Sequence, residues 1–296
     1  MDIIKKSNLW FSISSLLILL AFFAIGFNIF VHGRPMNFGI DFTGGTLLNL
    51  RFENPVNVGQ VRTVMDDFKL GESIIQKSGD NDVLIRTVPM DVETRQKIMT
   101  EMTEKVGNSE ILEADIIGPT IGKELATQAI WALIIASIGI IIYVSFRFEF
   151  KYALAALLAL YHDAIITTGI IALLWRTVDV TFVAAILTIM GYSINDTIVI
   201  FDRIRENLKK PDMAKKKFGE LVNISIWETM ARSINTVLTV VVIDLCLLFI
   251  GGETLRVFSL TLLVGLSLGA CSSIFVAPPL LVLWHRRETK GKPARR

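Results

Sequence analysis

The sequence predicts a polytopic α-helical membrane protein of six transmembrane helices, with an extracytoplasmic α+β ferredoxin-like domain between helices 1 and 2. Three observations carry this. Hydrophobic residues make up 52% of the 296-residue chain and the mean hydropathy is +0.55, outside the range of ordinary soluble domains. Six apolar runs are long enough to cross about 30 Å of hydrocarbon, which takes about 20 helical residues. Between the first two runs, one polar segment has the short alternating and helical periods of a folded α+β domain.

The runs place helices near residues 9–31, 127–146, 152–175, 178–203, 233–250 and 255–284. The first follows Lys5 and Lys6. It exceeds the length of a signal-peptide core and has no small-residue cleavage site ahead of His32-Gly33-Arg34-Pro35, which favours an uncleaved anchor. The last is long for one crossing and is expected to tilt, bend or end near Pro278-Pro279. Positive charge gathers at Lys5-Lys6, at Arg147 and Lys151, at Lys209 to Lys217, and in the tail from Arg286 to Arg296. The positive-inside rule makes these segments cytoplasmic, as are both termini in an even-span topology. The expected domains are 1–32 for the N-terminus and first helix, 33–125 for the extracytoplasmic domain, 126–285 for helices 2–6 and 286–296 for a basic cytoplasmic tail.

Within 33–125, Thr46–Phe52 reads as a strand and Asn57–Lys69 as a helix with Val61, Val64, Met65 and Phe68 on one face. Ser73–Lys77 and Val83–Val88 flank Ser78-Gly79-Asp80-Asn81-Asp82 as a hairpin, a helix follows from Val92 to Val106, and Ile111–Ile117 is the last strand. The order βαββαβ is the split βαβ arrangement. Gly44-Gly45 reads as a turn before the first strand. It is not read as a phosphate loop, because no P-loop lysine and no helix N-terminus follow it.

The polar residues inside the apolar runs carry the functional expectation. A mid-membrane carboxylate costs roughly 2.5–3.5 kcal/mol on insertion scales, so such residues face a protein interior or a hydrated path. Asn195-Asp196 lies in the fourth run, about seven residues before the charged exit at Asp202-Arg203. Tyr192, Ser193 and Arg203 share the Asp196 face. Gly191 removes bulk one turn before Asn195, for close helix contact, local unwinding or simple packing. The fifth run opens with Arg232-Ser233-Ile234-Asn235-Thr236, and Arg232 is placed either to approach Asp196 or Asp202 or to snorkel to the interface. Asp163 follows His162 near the middle of the third run, where neighbours in sequence point apart and make no dyad by themselves. Asp244 is similarly deep in the fifth, a third of a turn off the Arg232 stripe. Three buried acids on three spans point to an ion or proton route. Gly265-x-x-x-Gly269, extended by Ser272 and Ser273, is a small-residue face suited to packing within the chain. Cys246 and Cys271 fall in apolar runs, so neither a disulfide nor a CxxC metal site is expected. No metal, no cofactor and no specific nucleic acid are expected; the basic loop from Arg203 to Lys217 is explained by orientation alone.

Phe38-Gly39-Ile40-Asp41-Phe42-Thr43-Gly44-Gly45, His162-Asp163, the Gly191–Asn207 segment and Arg232–Thr236 together resemble the SecD/SecF family of bacterial protein-export membrane proteins, of the resistance-nodulation-division superfamily. The resemblance covers nearly the whole chain. It implies a six-helix half-bundle completed by six helices of SecD, and a place in the bacterial inner membrane beside the Sec channel and its accessory subunits. It further implies use of the proton-motive force to draw out late translocating polypeptide, with Asp196 and Arg232 matching the family's proposed proton-relay positions. Asp163 and Asp244 join them from burial alone, and Asn195 and Gly191 shape the surroundings of Asp196. Asp41, Gly44 and Gly45 carry the first motif. The chain has no HExxH and no GxSxG, so an intramembrane hydrolase is disfavoured and no enzymatic activity is expected. A stand-alone ion-coupled small-molecule transporter and a non-conducting scaffold subunit remain alternatives.

Overall fold

The computed structural model describes residues 2–251 and 253–291; the end of the expected basic tail, 292–296, lies outside them. The elements are α1 (Ser7–His32), β1 (Asn37–Phe38), α2 (Ile40–Thr43), β2 (Gly45–Phe52), α3 (Val58–Asp67), β3 (Ile74–Ser78), β4 (Asp82–Thr87), α4 (Val92–Lys105), β5 (Ser109–Ile117), α5 (Pro119–Arg147), α6 (Phe150–Leu173), β6 (Thr177–Val178), α7 (Val180–Leu208), α8 (Pro211–Ala214), α9 (Phe218–Ile250), α10 (Glu253–Phe275) and α11 (Ala277–Gly291). They form two compact units. The helical unit comprises Met1–Asn37, Ala132–Thr177 and Thr181–Arg296; the α+β unit comprises Phe38–Trp131 and Val178–Val180.

In the α+β unit, every neighbouring pair in the sheet order β3-β4-β2-β5 is antiparallel, which is the split βαβ order expected from the sequence. A bulge between Asn49 and Leu50 shifts the β2–β5 register. Leu48, Leu50, Phe52, Val83 and Ile85 of the sheet pack with Val61, Val64 and Met65 of α3 and Ile98 and Met102 of α4, all buried. The helices start where side chains satisfy free N–H groups: Asn57 accepts from Gly59 and Asp91 from Thr94. The glycine pair is not a loop that cradles a ligand. Gly44 and Gly45 both take positive φ, +70° and +137°, and a Cβ at Gly44 would meet the backbone of Pro119 while one at Gly45 would meet the Thr87 carbonyl.

Among the described residues, six helices are long and apolar enough to cross a membrane: Ser7–His32, Pro119–Arg147, Phe150–Leu173, Val180–Leu208, Phe218–Ile250 and Leu255–Arg287. Several begin earlier than the apolar runs. Pro119 opens the second helix, with its fixed φ suited to a first turn. The fifth begins at Phe218 because Leu221, Val222, Ser225, Ile226 and Thr229 form a buried stripe at helical spacing among charges. The sixth breaks as expected: α10 ends at Phe275, and α11 carries Pro278 and Pro279 in its first turn.

Close approaches within this unit explain its small residues. On α6, Gly169 packs so tightly on Ala21 of α1 that a Cβ would overlap its backbone, and buried Asn28 of α1 donates to the Ala172 carbonyl at 2.8 Å. Gly265 and Gly269 of α10 pack on Ile189 and Ser193 of α7, so the GxxxG face packs within the chain. At Gly191 an added Cβ would meet nothing within 4 Å, so no helix among the described residues packs closely there.

Candidate functional site

Two buried carboxylates on adjacent helices lie in opposite environments. Asp163 of α6 is fully buried and fully used. Its Oδ2 accepts from Ser193 Oγ of α7 at 2.8 Å and from Ser272 Oγ of α10 at 2.7 Å, and its Oδ1 lies 2.9 Å from His162 Nδ1. The last contact corrects the expectation that His162 and Asp163 point apart. Their Cβ vectors diverge, but imidazole is long enough to fold back over the next residue once both are enclosed. His162 Nε2 and the hydroxyl of Thr167, one turn along α6, are buried with no hydrogen-bond partner. Beside this knot, Ser273 of α10 hydrogen-bonds Thr197 at 2.9 Å and donates to the Ser193 carbonyl at 3.2 Å.

Asp196, one turn from Ser193 on α7, is 5% exposed and its Oδ2 has no hydrogen-bond partner. It lines a cavity of about 10 Å³ walled by Tyr192 and Ser193 of α7, Thr236 and Val240 of α9, and Leu266 and Gly269 of α10. That volume is at the lower limit for one water molecule. Tyr192 and Ser193 were both expected on the Asp196 face. Both wall the cavity, but the Ser193 hydroxyl is given to Asp163.

The buried stripe of α9 continues from this cavity. Asp244, one turn past Val240, is 2% exposed, and both its Oδ2 and the buried Ser233 Oγ lack partners. Arg232 lies on the exposed side of α9, as the third-of-a-turn offset requires, and makes no ion pair with Asp196 or Asp202. Asn195 is also exposed. The hydroxyls of the Arg232 stripe are spent on their own helix, Thr236 donating to the Arg232 carbonyl and Thr239 to that of Thr236.

The charged exit of α7 forms a separate network. Asp202 pairs with Arg147 at 3.1 Å, while Arg203 pairs with Glu206 and Glu228 at 2.8 and 2.6 Å. Arg203 thus shares a helix face with Asp196 but not an ion pair. Buried Asn207 joins the network by donating to Ser225 and Glu228. Asp41, in the α+β unit, accepts from the Val180 N–H at 2.9 Å. No group of three His, Cys, Asp or Glu side chains among the described residues is arranged to hold a metal.

Sequence reasoning passed over Asn28, Asn207, Glu228 and the acceptor role of Asp163. Of the partners of Asp163, Ser193 is expected on the Asp196 face and Ser272 on the small-residue face, neither as a donor to Asp163.

The family described as protein export membrane protein SecD/SecF, C-terminal, matches residues 97–287, and the SecD/SecF GG motif matches residues 29–56. The protein translocase subunit SecF of Sebaldella termitidis is 42% identical over 306 residues, covering 100% of this chain and 97% of that protein. The protein translocase subunit SecDF of Bacillus subtilis is 43% identical over 265 residues, covering 88% of this chain and 35% of that one. The crystal structure of SecDF from Thermus thermophilus, a translocon-associated membrane protein, superposes with a TM-score of 0.86 at 36% identity. This chain spans 97% of its own length but only 39% of that one.

Proposed function

This chain belongs to the SecD/SecF family of protein-export membrane proteins, and from that membership we propose that it is the SecF-type accessory subunit of a Sec translocase, coupling the proton-motive force to late polypeptide export. It is a multi-pass membrane protein, read here as lying in the bacterial inner membrane with both termini cytoplasmic and residues 33–125 extracytoplasmic. Its partners are SecD, which is fused to the SecF part in the Bacillus relative, together with the Sec channel, its accessory subunits, lipid and the passing polypeptide. It acts by conformational work, with no enzymatic step.

One observation carries the coupling: the unpartnered carboxylate oxygen of Asp196, buried in a water-sized cavity between three helices. A buried carboxylate with an orphan oxygen is costly when ionised and far less so when protonated. Proton exchange there therefore changes the local balance of charge by one. One charge moved across 100 mV supplies about 2.3 kcal/mol, enough to shift a two-state element some fifty-fold. Asp244 and Ser233 extend the same polar seam along α9, and Asn195 and Gly191 leave the outer side of α7 uncrowded. Asp163, saturated by three donors, serves as the fixed wall that holds Ser193 against the cavity.

The test is late export by vesicles containing the assembled complex, measured with and without a proton gradient. With Asp196→Asn the gradient is expected to lose its accelerating effect while SecD still co-purifies. A variant that assembles and keeps its full gradient dependence would sink the proposal.

A further inference from the structure

Residues Val178–Val180 are separated from the rest of the α+β unit by two long helices, yet they belong to it. Hydrogen bonds from the motif loop help hold them there. The Gly39 N–H donates to the Val178 carbonyl at 2.8 Å, and Asp41 Oδ2 accepts from the Val180 N–H at 2.9 Å, across 139 residues of sequence. Val180 is the first residue of α7, so its N–H is one of the four that a helix cannot satisfy from within. The acceptor is supplied by a different part of the chain, the motif loop after β1. A carboxylate is well matched to that place, since it both accepts the bond and faces the positive end of the helix dipole.

The loop that carries Asp41 is rigidly seated. Asp41 lies in the single turn of α2, whose end is closed by the Gly44 N–H donating to the Ile40 carbonyl at 2.8 Å. Gly44 lies against Pro119, Gly122 of α5 lies against the Gly44 nitrogen, and Gly45 lies under the Thr87 carbonyl, each too close for a Cβ. The glycine pair thus lets the loop press between the end of β4 and the start of α5, which fixes the direction of the Asp41 side chain.

We infer that Asp41 is a long-range N-cap of α7, holding Val180, itself part of the α+β unit, in place as the first residue of that helix. Asp41 is a positioning residue: it holds the N–H of the first residue of that helix.

The cap is separable from the proton-coupling proposal, since its test reads helix-end dynamics and not export. Hydrogen exchange is measured on the membrane-embedded SecD-containing complex, in peptides covering residues 178–183, with peptides from α3 as a folding control. An aspartate cap replaced by alanine loses on the order of 1 kcal/mol, so Asp41→Ala is expected to speed exchange in the first turn of α7 about five-fold and leave α3 unchanged. Asp41→Asn keeps an oxygen acceptor at the same reach and is expected to remain within about two-fold of the original protein. Acceleration by Asp41→Asn equal to that of Asp41→Ala would assign the effect to charge alone and overturn the cap. Unchanged exchange in both variants would overturn it as well, and so would a rise in α3 matching that in α7.

Discussion

Asp163 and Asp196 are both aspartates buried in membrane-spanning helices, and their surroundings differ in every respect that decides function. Asp163 collects donors from α6, α7 and α10 on its two oxygens; Asp196 offers an oxygen to nothing. A satisfied buried acceptor resists change, because each donor it holds would be orphaned if it moved. An unsatisfied one has little to lose on changing its charge. Burial alone, which put the two residues in one class, therefore does not separate a fastener from a switch, whereas hydrogen-bond saturation does. Ser193 joins them: its hydroxyl serves Asp163, and the same side chain walls the cavity of Asp196.

The comparison is most exposed to Asp163→Leu. Removing the acceptor leaves the Ser193 hydroxyl and the His162 Nδ1 group buried without their partner, at about 1–3 kcal/mol each, and leaves Ser272 only its longer bond to the Gly269 carbonyl. The summed loss, about 2–6 kcal/mol, is a large share of the stability of a typical protein. A collapse in steady-state level and a drop of the thermal midpoint in detergent are expected. A well-folded Asp163→Leu protein would show that the knot is not a fastener.

Ser272→Ala and Ser193→Ala come next. Each removes one hydrogen bond to the same carboxylate oxygen, at about 1.5–3 kcal/mol if the group is ionised, and their thermal midpoints should fall together. Only Ser193→Ala also alters a wall of the Asp196 cavity. Gradient-dependent export, normalised to the amount of assembled complex, is expected to change for Ser193→Ala and hold for Ser272→Ala. Equal behaviour in export would dissolve the distinction between the two sites.

How far this was legible in the sequence follows from the range of the interactions. The six spans could be read because hydropathy is a local sum, and the α+β unit because its periods are short and its turns carry glycine. The start of α9 could not: the stripe from Leu221 to Thr229 has helical spacing, but Glu220, Glu228 and Arg232 break the apolar run that marks a span. The site divides in the same way. Asp196 announced itself by depth, while the saturation of Asp163 depends on partners 30 and 109 residues away, which no local pattern reveals. Arg232 was placed on the correct helix and sector, but whether it touches Asp196 depended on side-chain reach across α7 and α9.

Asp196→Asn should have a smaller effect on stability than any of these. Its Oδ2 holds no donor, so an amide of the same shape removes no hydrogen bond at that atom and relieves the cost of a buried charge. The thermal midpoint is expected to stay level or rise, by less than about 1 kcal/mol of stability, while gradient dependence disappears. A marked fall in the midpoint would place Asp196 with Asp163 among the fasteners.

Asp82 supplies the weakest case and a control outside the membrane helices. Its two oxygens accept from Arg51 Nε and Nη2 at 2.9 Å each across the β2–β4 pair, and this hydrogen bonding holds its carboxyl below the usual carboxylate range. A depressed carboxylate stabilises the fold above the pKa of the unfolded chain, near 3.9, and that contribution is lost as pH falls through the lower folded value. Hydrogen exchange of the β2 and β4 amides in the full chain should therefore be level from pH 7 to about pH 5, after correction for intrinsic rates, and accelerate below about pH 4. The change is small because water solvates both partners and screens the pair. Asp82→Asn removes that acid-dependent share and leaves the one owed to Asp91, whose carboxyl is likewise lowered, by hydrogen bonding to the side chain and backbone of Thr94. A loss of protection in β2 and β4 at pH 7 in Asp82→Asn, as large as that caused in the helical unit by Ser272→Ala, would show that exposure to water does not separate this carboxylate from the buried one.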